Sequence, residues 1–301
     1  MQKEFEVIII GGSYAGLSAA LSLGRSLRQV LVLDHGEPCN RQTPHSHNFL
    51  TQDGVAPAAI AAIAKEQLER YSTVQLVNSM AVSGQKVRGH FEITTADGHA
   101  FTAKKLIFAS GLKDQLPTID GLRECWGISA IHCPYCHGYE FKKEKTAIMA
   151  QGERALHLAA LVSNLTDQLT ILTNGAADFS EEQYDRLRRH RISVVENKIT
   201  KLEHQNGHLK KIHFEDNQPL ELDAVYTAFI FVQSSAIPES LGCALSESGY
   251  LVVDPFQKTN IDQVYACGDC CAPMRSVASA VMTGNMAGAM VNKELCDAAF
   301  T

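Results

Sequence analysis

Val7-Ile8-Ile9-Ile10-Gly11-Gly12-Ser13-Tyr14-Ala15-Gly16 is the stretch that decides how this chain is read. Four apolar residues end in a G-x-x-x-x-G frame, with Ser13 where the middle glycine of G-x-G-x-x-G would stand. A small-residue segment from Ala15 to about Ser26 follows, and then a second apolar run over 30–33 closed by Asp34. Strand-length and helix-period signals in this order predict a β-α-β unit on a parallel sheet. The glycines permit a tight strand-to-helix turn, and the helix N-terminus offers unpaired N–H groups to a pyrophosphate. Asp34 lies about 18 residues past Gly16, at the end of the second strand, where an acid can bind ribose hydroxyls. The turn is therefore read as a nucleotide site, with a plain structural turn as the alternative.

Working outward, 53–71 is expected to be a helix, with Pro57 near its first turn and an alanine-rich middle. Over 87–103 the pattern becomes short and alternating around an Asp97-Gly98 hairpin turn, and it ends in the apolar run 106–109. The second half starts the series again. A strand is expected at 146–149, a turn at Gly152, a helix over 154–165 and a strand at 169–172. Another turn, Asn206-Gly207, sits among alternating segments to Leu222, and an apolar run covers 225–232. Segment 249–268 and a C-terminal helix are too short for a third domain, so they are expected to return to the first. The expected fold is α/β: two Rossmann-like dinucleotide-binding domains, each with a parallel sheet and a β-meander, the second inserted into the first. The expected boundaries are 1–114 and 236–301 for the first domain and 115–235 for the second, with linkers near 113–120 and 234–242.

The second turn, Ala150-Gln151-Gly152-Glu153-Arg154-Ala155, is much poorer. Ala150 replaces the first glycine, and Glu153 would put a carboxylate near an incoming pyrophosphate. The next strand ends in Thr173-Asn174-Gly175, with no acid for a ribose diol and no arginine pair for a 2′-phosphate. A relic fold that binds no nucleotide is the simpler reading here.

Composition narrows the function classes. The chain has 301 residues, 45% of them hydrophobic, with a formal net charge of -6 and nine cysteines. The balance is mildly acidic with no basic run, so nucleic acid and anionic membrane surfaces are not expected partners. No apolar stretch approaches the roughly 18 residues that span a bilayer, and 1–6 does not read as a signal peptide, so a cytoplasmic home is expected. An odd cysteine count in a reducing compartment argues against a disulfide framework.

Cys133-Pro134-Tyr135-Cys136-His137 is the sharpest chemical feature. Two thiols two residues apart can close a disulfide while one is kept available as thiolate, and the adjacent His137 titrates in the range needed to move their protons. C-x-x-C-H is also the attachment signature of c-type haem, which would need export. A zinc site would need further ligands such as Cys267, Cys270 and Cys271, and a structural pair remains open. No metal is expected. The other seven cysteines, Cys39, Cys125, Cys243, Cys267, Cys270, Cys271 and Cys296, read as small hydrophobes. Cys39 stands apart because it follows Asp34 closely. Tyr135, His45 and His47 are candidates to line the approach to the dithiol, although a surface histidine is the plainer reading of the latter two.

Together these residues resemble the low-molecular-weight thioredoxin reductase family over essentially the whole chain. The resemblance rests on the Ile8–Gly16 turn, Asn48-Phe49, Ile107-Phe108-Ala109-Ser110-Gly111, the C-x-x-C pair, and Val264-Tyr265-Ala266-Cys267-Gly268-Asp269. It implies FAD in the first domain. Gly11, Gly12, Ser13, Ala15 and Gly16 would lie at the pyrophosphate, Asp34 at the adenosine ribose, Asn48 near the flavin, Gly111 at the domain exit, and Gly268 and Asp269 at the ribitol. A C-terminal helix starting near Ser276 and Val277 would aim its N–H groups at the flavin pyrimidine. Arg41 would add a cation near the pyrophosphate. By the same resemblance Cys136 faces the flavin and Cys133 exchanges with substrate, in a homodimer. His137 replaces the family's usual Asp, and the residues that read NADPH are missing after Leu172. Both departures are similar to a branch of fungal dithiol oxidases and of bacterial thioredoxin-reductase-like proteins. The expected activity is therefore FAD-dependent dithiol/disulfide exchange with a thioredoxin-like protein or a small dithiol or disulfide. Oxygen or another non-nicotinamide acceptor is the expected electron partner and NADPH the alternative; a non-enzymatic flavin- or metal-binding module is the reading from another class.

Overall fold

The computed structural model describes residues 4–227 and 229–301, which divide into two units. The first comprises residues 4–41, Phe49–Lys113 and Phe231–Thr301; the second comprises Gln42–Asn48 and Asp114–Ile230.

The first unit is built on one sheet whose strands run in the order Val74–Asn78, Val30–Asp34, Glu4–Ile10, Ala100–Phe108, His90–Thr95, Ala81–Val87. The first four of these pair in parallel and the last two form the antiparallel meander. Val264–Ala266 also joins in parallel, along the inner end of Ala100–Phe108, so the last third of the chain completes the first unit's sheet. Glu4–Ile10 explains why an unbroken apolar run forms this strand. Val7 and Ile9 face one layer, packed with Ala19, Leu23, Ala287 and Val291, while Ile8 and Ile10 face the other, packed with Leu31, Phe91 and Leu251. A strand covered on both faces needs apolar residues at every position. The first layer is formed by the helices Tyr14–Arg25, Pro57–Glu69 and Val277–Phe300. The first and last of these meet at glycines: a Cβ on Gly284 would run into the Ala15 carbonyl, and one on Gly288 would lie 2.7 Å from the Ala19 oxygen.

The second unit carries a five-stranded parallel sheet ordered Ser193–Val195, Leu169–Leu172, Thr146–Met149, Ala224–Thr227, Ala130–Ile131. A separate antiparallel meander, Ile199–Gln205, His208–Phe214 and Leu220–Glu221, turns at Asn206 and Gly207, both with positive φ. Two successive left-handed residues match the twist of a two-residue hairpin.

Several expectations change. The apolar run 225–232 is two strands: Ala224–Thr227 in the second unit's sheet, and Phe231–Gln233, which pairs with Leu112–Asp114. The 234–242 stretch, expected as a linker, packs into the first unit through the short helix Ile237–Ser240, with Ile237 2% exposed against Gly84. The expected 53–71 helix is Pro57–Glu69, starting at the proline, and the expected 154–165 helix is Gly152–Val162. A helix not anticipated, Glu181–Arg189, starts in a capping box between Ser180 and Gln183.

Candidate functional site

The first glycine turn is a cradle in the first unit. Gly11 has φ 106, and a Cβ there would strike the Ala109 carbonyl; a Cβ on Gly16 would strike the carbonyl of Gly11. At Gly12 an added Cβ would lie 2.7 Å from the Asp34 side chain, so Asp34 leans over the turn from the neighbouring strand. Ser13 is the N-cap of Tyr14–Arg25, yet its hydroxyl makes no capping bond, and no acid stands in the first turn. The first N–H groups of that helix thus keep their capacity for an anion. Beside the turn, the Ser110 hydroxyl is buried with no hydrogen-bond partner, and Gly111, at φ 68, has open space around its Cα.

The opposite wall comes from the C-terminal segment. Gly268, at φ 76, donates its N–H to the Thr283 hydroxyl at 3.0 Å, and a Cβ there would lie 2.8 Å from that of Ala15. Asp269 is 3.5 Å from the Arg275 Nε and accepts from the Cys39 thiol at 3.8 Å. Val277–Phe300 begins at Ser276, whose side chain accepts from the Ser279 N–H at 3.1 Å, so this hydroxyl serves the helix itself. These residues fit an adenine dinucleotide flavin. Uncapped N–H groups would hold the pyrophosphate, Asp34 the ribose, and the orphaned Ser110 hydroxyl gains a polar partner. Two further expected ligands are Arg41 and Asn48. Arg41 is exposed and donates to the Pro38 carbonyl at 3.2 Å. Asn48, with φ 59, groups with the second unit, where Gln42 and Thr43 of the same loop approach Gly127.

In the second unit Cys133 is the N-cap of the one-turn helix Pro134–His137, with Pro134 at its first position. The N–H groups of Cys136 and His137 both donate to the Cys133 carbonyl at 3.2 Å, which closes the C-x-x-C turn. Both cysteines are half-buried thiols. Gly138 ends the turn where nothing larger fits: a Cβ would strike the Pro134 carbonyl, sit 2.5 Å from Leu165 Cδ1 and 3.1 Å from the Tyr226 hydroxyl. Burial lowers the proton affinity of His137, the Glu140 carboxylate opposes that, and His47 adds to it. His47 Nε2 lies 3.4 Å from Glu140 Oε1. The Tyr226 phenol is pushed up by burial and by the negative charge that Cys133 and Glu140 can carry. Glu140 and Tyr226 escaped the sequence reading. A carboxylate one turn beyond His137 was the available signal for the first, whereas Tyr226 lay inside an apolar run.

Cys267 and Cys271 are not placed as thiolates, and Cys270 is a buried hydrogen-bond donor. Cys270 donates to the carbonyls of Phe108 and Cys267 at 3.4 and 3.2 Å, burial pushes Cys267 up, and the Cys270 bond together with burial does the same to Cys271. Among the described residues no group of three or more His, Cys, Asp or Glu is arranged to hold a metal ion.

The second glycine turn is differently furnished. Gly152 starts its helix at φ 53, and Gln151 before it donates to the Thr173 carbonyl at 2.9 Å. Glu153 accepts from Gln183 at 2.6 Å, Asp178 approaches Gly152, and Glu196 accepts from the Ala177 N–H at 3.1 Å. The Asn174 side chain, past the strand end, accepts from the Ile199 N–H at 2.7 Å. Arg154 is a cation of that first turn, against these three carboxylates. This surface does not fit a dinucleotide phosphate.

Residues 5–284 match the family model described as pyridine nucleotide-disulphide oxidoreductase. The chain belongs to that family. The pyridine nucleotide-disulphide oxidoreductases are enzymes whose chemistry draws on FAD and NAD(P)H, so a non-enzymatic module is set aside. The chain is 29% identical to thioredoxin reductase aclD of Aspergillus oryzae, over 97% of this chain and 96% of that protein. It is 28% identical to thioredoxin reductase sirT of Leptosphaeria maculans, over 96% and 93%. An oxidoreductase structure from Agrobacterium tumefaciens aligns with a TM-score of 0.91 at 38% identity, covering 98% of this chain and 99% of that one. Within the family this chain is thus thioredoxin-reductase-like, with the two-domain architecture its sequence pattern implied.

Proposed function

We propose that this protein is an FAD-dependent dithiol oxidase in which Cys133 and Cys136 are the redox pair and dioxygen is the electron acceptor. In the oxidised pair, a substrate thiolate attacks Cys133, forms a mixed disulfide and releases Cys136 as thiolate. The second substrate thiol attacks the mixed disulfide, which frees the substrate as a disulfide and leaves two electrons and two protons on Cys133 and Cys136. His137 takes each proton as a substrate thiolate forms and returns it to the cysteine thiolate that is released. Gly11–Gly16, Asp34, Gly268 and Asp269 would hold FAD, which would supply the two-electron acceptor, with dioxygen as the final oxidant and hydrogen peroxide as its product. The substrate is a small dithiol or a thioredoxin-like protein, and the working form is a cytoplasmic homodimer.

The observation that carries the choice of electron partner is the second glycine turn, where Glu153, Asp178 and Glu196 stand in place of phosphate-binding cations. The experiment is oxygen consumption with a dithiol. Wild type should turn over, and Cys133→Ser and Cys136→Ser should both fall to background. Undiminished turnover by Cys136→Ser would refute the assignment. The second reading, an NADPH-dependent thioredoxin-disulfide reductase, is favoured by the names of the fungal relatives, and coupled reduction of a thioredoxin by NADPH would establish it.

A further inference from the structure

We infer that segment 174–183 is a strap latched across the head of helix Gly152–Val162 by Gln183 and Glu153, and that this latch sets donor specificity by keeping pyridine nucleotides out of the second unit. The inference rests on the reading of dioxygen, and not a nicotinamide, as electron partner. An oxidase open to NADPH would turn NADPH, a proton and dioxygen into NADP+ and hydrogen peroxide without making a disulfide.

The strap is tied along its length. At its start the Thr173 hydroxyl donates to the Gly175 carbonyl, and the Asn174 side chain accepts from the Ile199 N–H, both at 2.7 Å. In its middle Glu196, just past strand Ser193–Val195, accepts from the Ala177 N–H and from the Tyr184 hydroxyl, both at 3.1 Å. Phe179 meets Tyr184 edge-on, with ring centroids 5.5 Å apart, and packs on the same core cluster as Ala150 of the glycine turn. These ties bring Asp178 to the first residue of the helix, where a Cβ on Gly152 would lie 3.9 Å from its carboxylate. In a nucleotide-binding turn of this kind the pyrophosphate sits at that helix head.

Gln183 closes the strap with both ends of its carboxamide. Its Oε1 accepts from the Ser180 N–H at 2.8 Å, and its Nε2 donates to Glu153 Oε1 at 2.6 Å. An amide can do both; a carboxylate has no proton to donate. Glu153 stands in the first turn of its helix, where its charge suits the helix dipole and opposes an incoming phosphate. The N-cap residue Gln151 turns its side chain to the Thr173 carbonyl and makes no capping bond. The first N–H groups of the helix are therefore what a phosphate would gain once the strap is lifted and the carboxylates are neutralised.

Two measurements on the holoprotein test this. Hydrogen exchange of the peptide covering 174–180, read by mass spectrometry, reports the latch with no nucleotide present. Gln183→Glu keeps the bond to Ser180 but sets two carboxylates against each other, so exchange should quicken about fivefold. Adding Glu153→Gln exchanges donor and acceptor, and should return the rate to within about twofold of wild type. Calorimetric titration with NADP+ reports exclusion. Wild type should give no saturable heat at millimolar concentration, whereas Glu153→Gln/Asp178→Asn/Glu196→Gln should bind, with affinity rising about three- to fivefold for each carboxylate removed. All three side chains are on exposed residues, and Glu153→Gln alone should give the first step of that rise. Failure of the Glu153/Gln183 exchange to restore the rate would overturn the inference. So would submillimolar binding of NADP+ by wild type, or a triple variant that keeps its flavin and its thermal midpoint yet shows no heat. If the exchange rescues and only the opened variants take NADP+ while no dithiol is oxidised, the proposed function fails and this inference stands; a wild type that oxidises dithiols and also binds NADP+ reverses that outcome.

Discussion

Replacing Glu294 with glutamine removes the carboxylate that Lys105 and Lys258 share. This carboxylate fastens the C-terminal helix to the first unit's sheet. Lys105 is 7% exposed on its strand, and Lys258 donates to Glu294 at 2.7 Å. Burial alone would raise the Glu294 carboxyl, but the bonds from Lys105, Lys258 and Tyr265 outweigh it and hold the group at about 2, against an ordinary 4.5. A carboxyl held below its unfolded value stabilises the fold fully above the unfolded value, and that contribution drains away as pH falls toward the folded one. At about 1.4 kcal/mol per pH unit the full shift would amount to about 3 kcal/mol. The Glu294 side chain is 29% exposed, so solvent screening roughly halves this. Leaving the Lys105 ammonium without its carboxylate adds back some cost, for a total of about 2 kcal/mol. In a unit of this size that lowers the thermal midpoint by about 4–8 °C. Thermal unfolding followed by far-UV circular dichroism reads it directly. Glu294→Gln should melt below wild type near neutral pH, and the gap should close as pH falls from about 4.5 toward about 2.5. Equal midpoints at neutral pH, or a gap unchanged down to about pH 2.5, would refute the reasoning.

Three other changes probe the sites. Gly138→Ala forces a methyl into the Pro134 carbonyl and Leu165, so alkylation of Cys133 and Cys136 should lose its single midpoint, and dithiol oxidation should fall at least tenfold. Gly284→Ala pushes the C-terminal helix off Ala15 and should cost about 2 kcal/mol, read as a lower denaturation midpoint together with a lower flavin-to-protein absorbance ratio. Asp34→Ala leaves the turn backbone intact and should lower that absorbance ratio after dialysis while the thermal midpoint of the flavin-free protein stays within about 2 °C of wild type.

Much of the first unit is legible because local signals agree with tertiary ones. The Val7/Ile9 and Ile8/Ile10 alternation is hidden within a continuous apolar run, and the glycines after it mark the end of the strand. The 225–232 run shows where this fails: apolar content does not reveal that Thr227 ends one strand and Phe231 begins another in a different sheet. Helix Glu181–Arg189 escapes the apolar periodicity because it buries only Leu187 and is otherwise polar, so its capping residues were the usable signal. The linker expected over 234–242 fails because Ile237, with Leu241 and Cys243 beside it, docks into a core built mostly on strands remote in sequence, such as those of Ile8, Leu31 and Phe91. At the dithiol, C-x-x-C-H is a contiguous motif and can be read directly. The contact between His47 and Glu140 joins segments remote in the chain, and only the fold brings them together.

In the proposed reaction electrons enter from a dithiol and not from a nicotinamide. Anaerobic mixing of the oxidised holoprotein with a dithiol, NADPH and NADH in parallel, followed by flavin absorbance, tests it most directly. The dithiol should bleach the flavin rapidly and either nicotinamide only a little. Rapid bleaching by NADPH at micromolar concentration, with slow reduction by the dithiol, would contradict it.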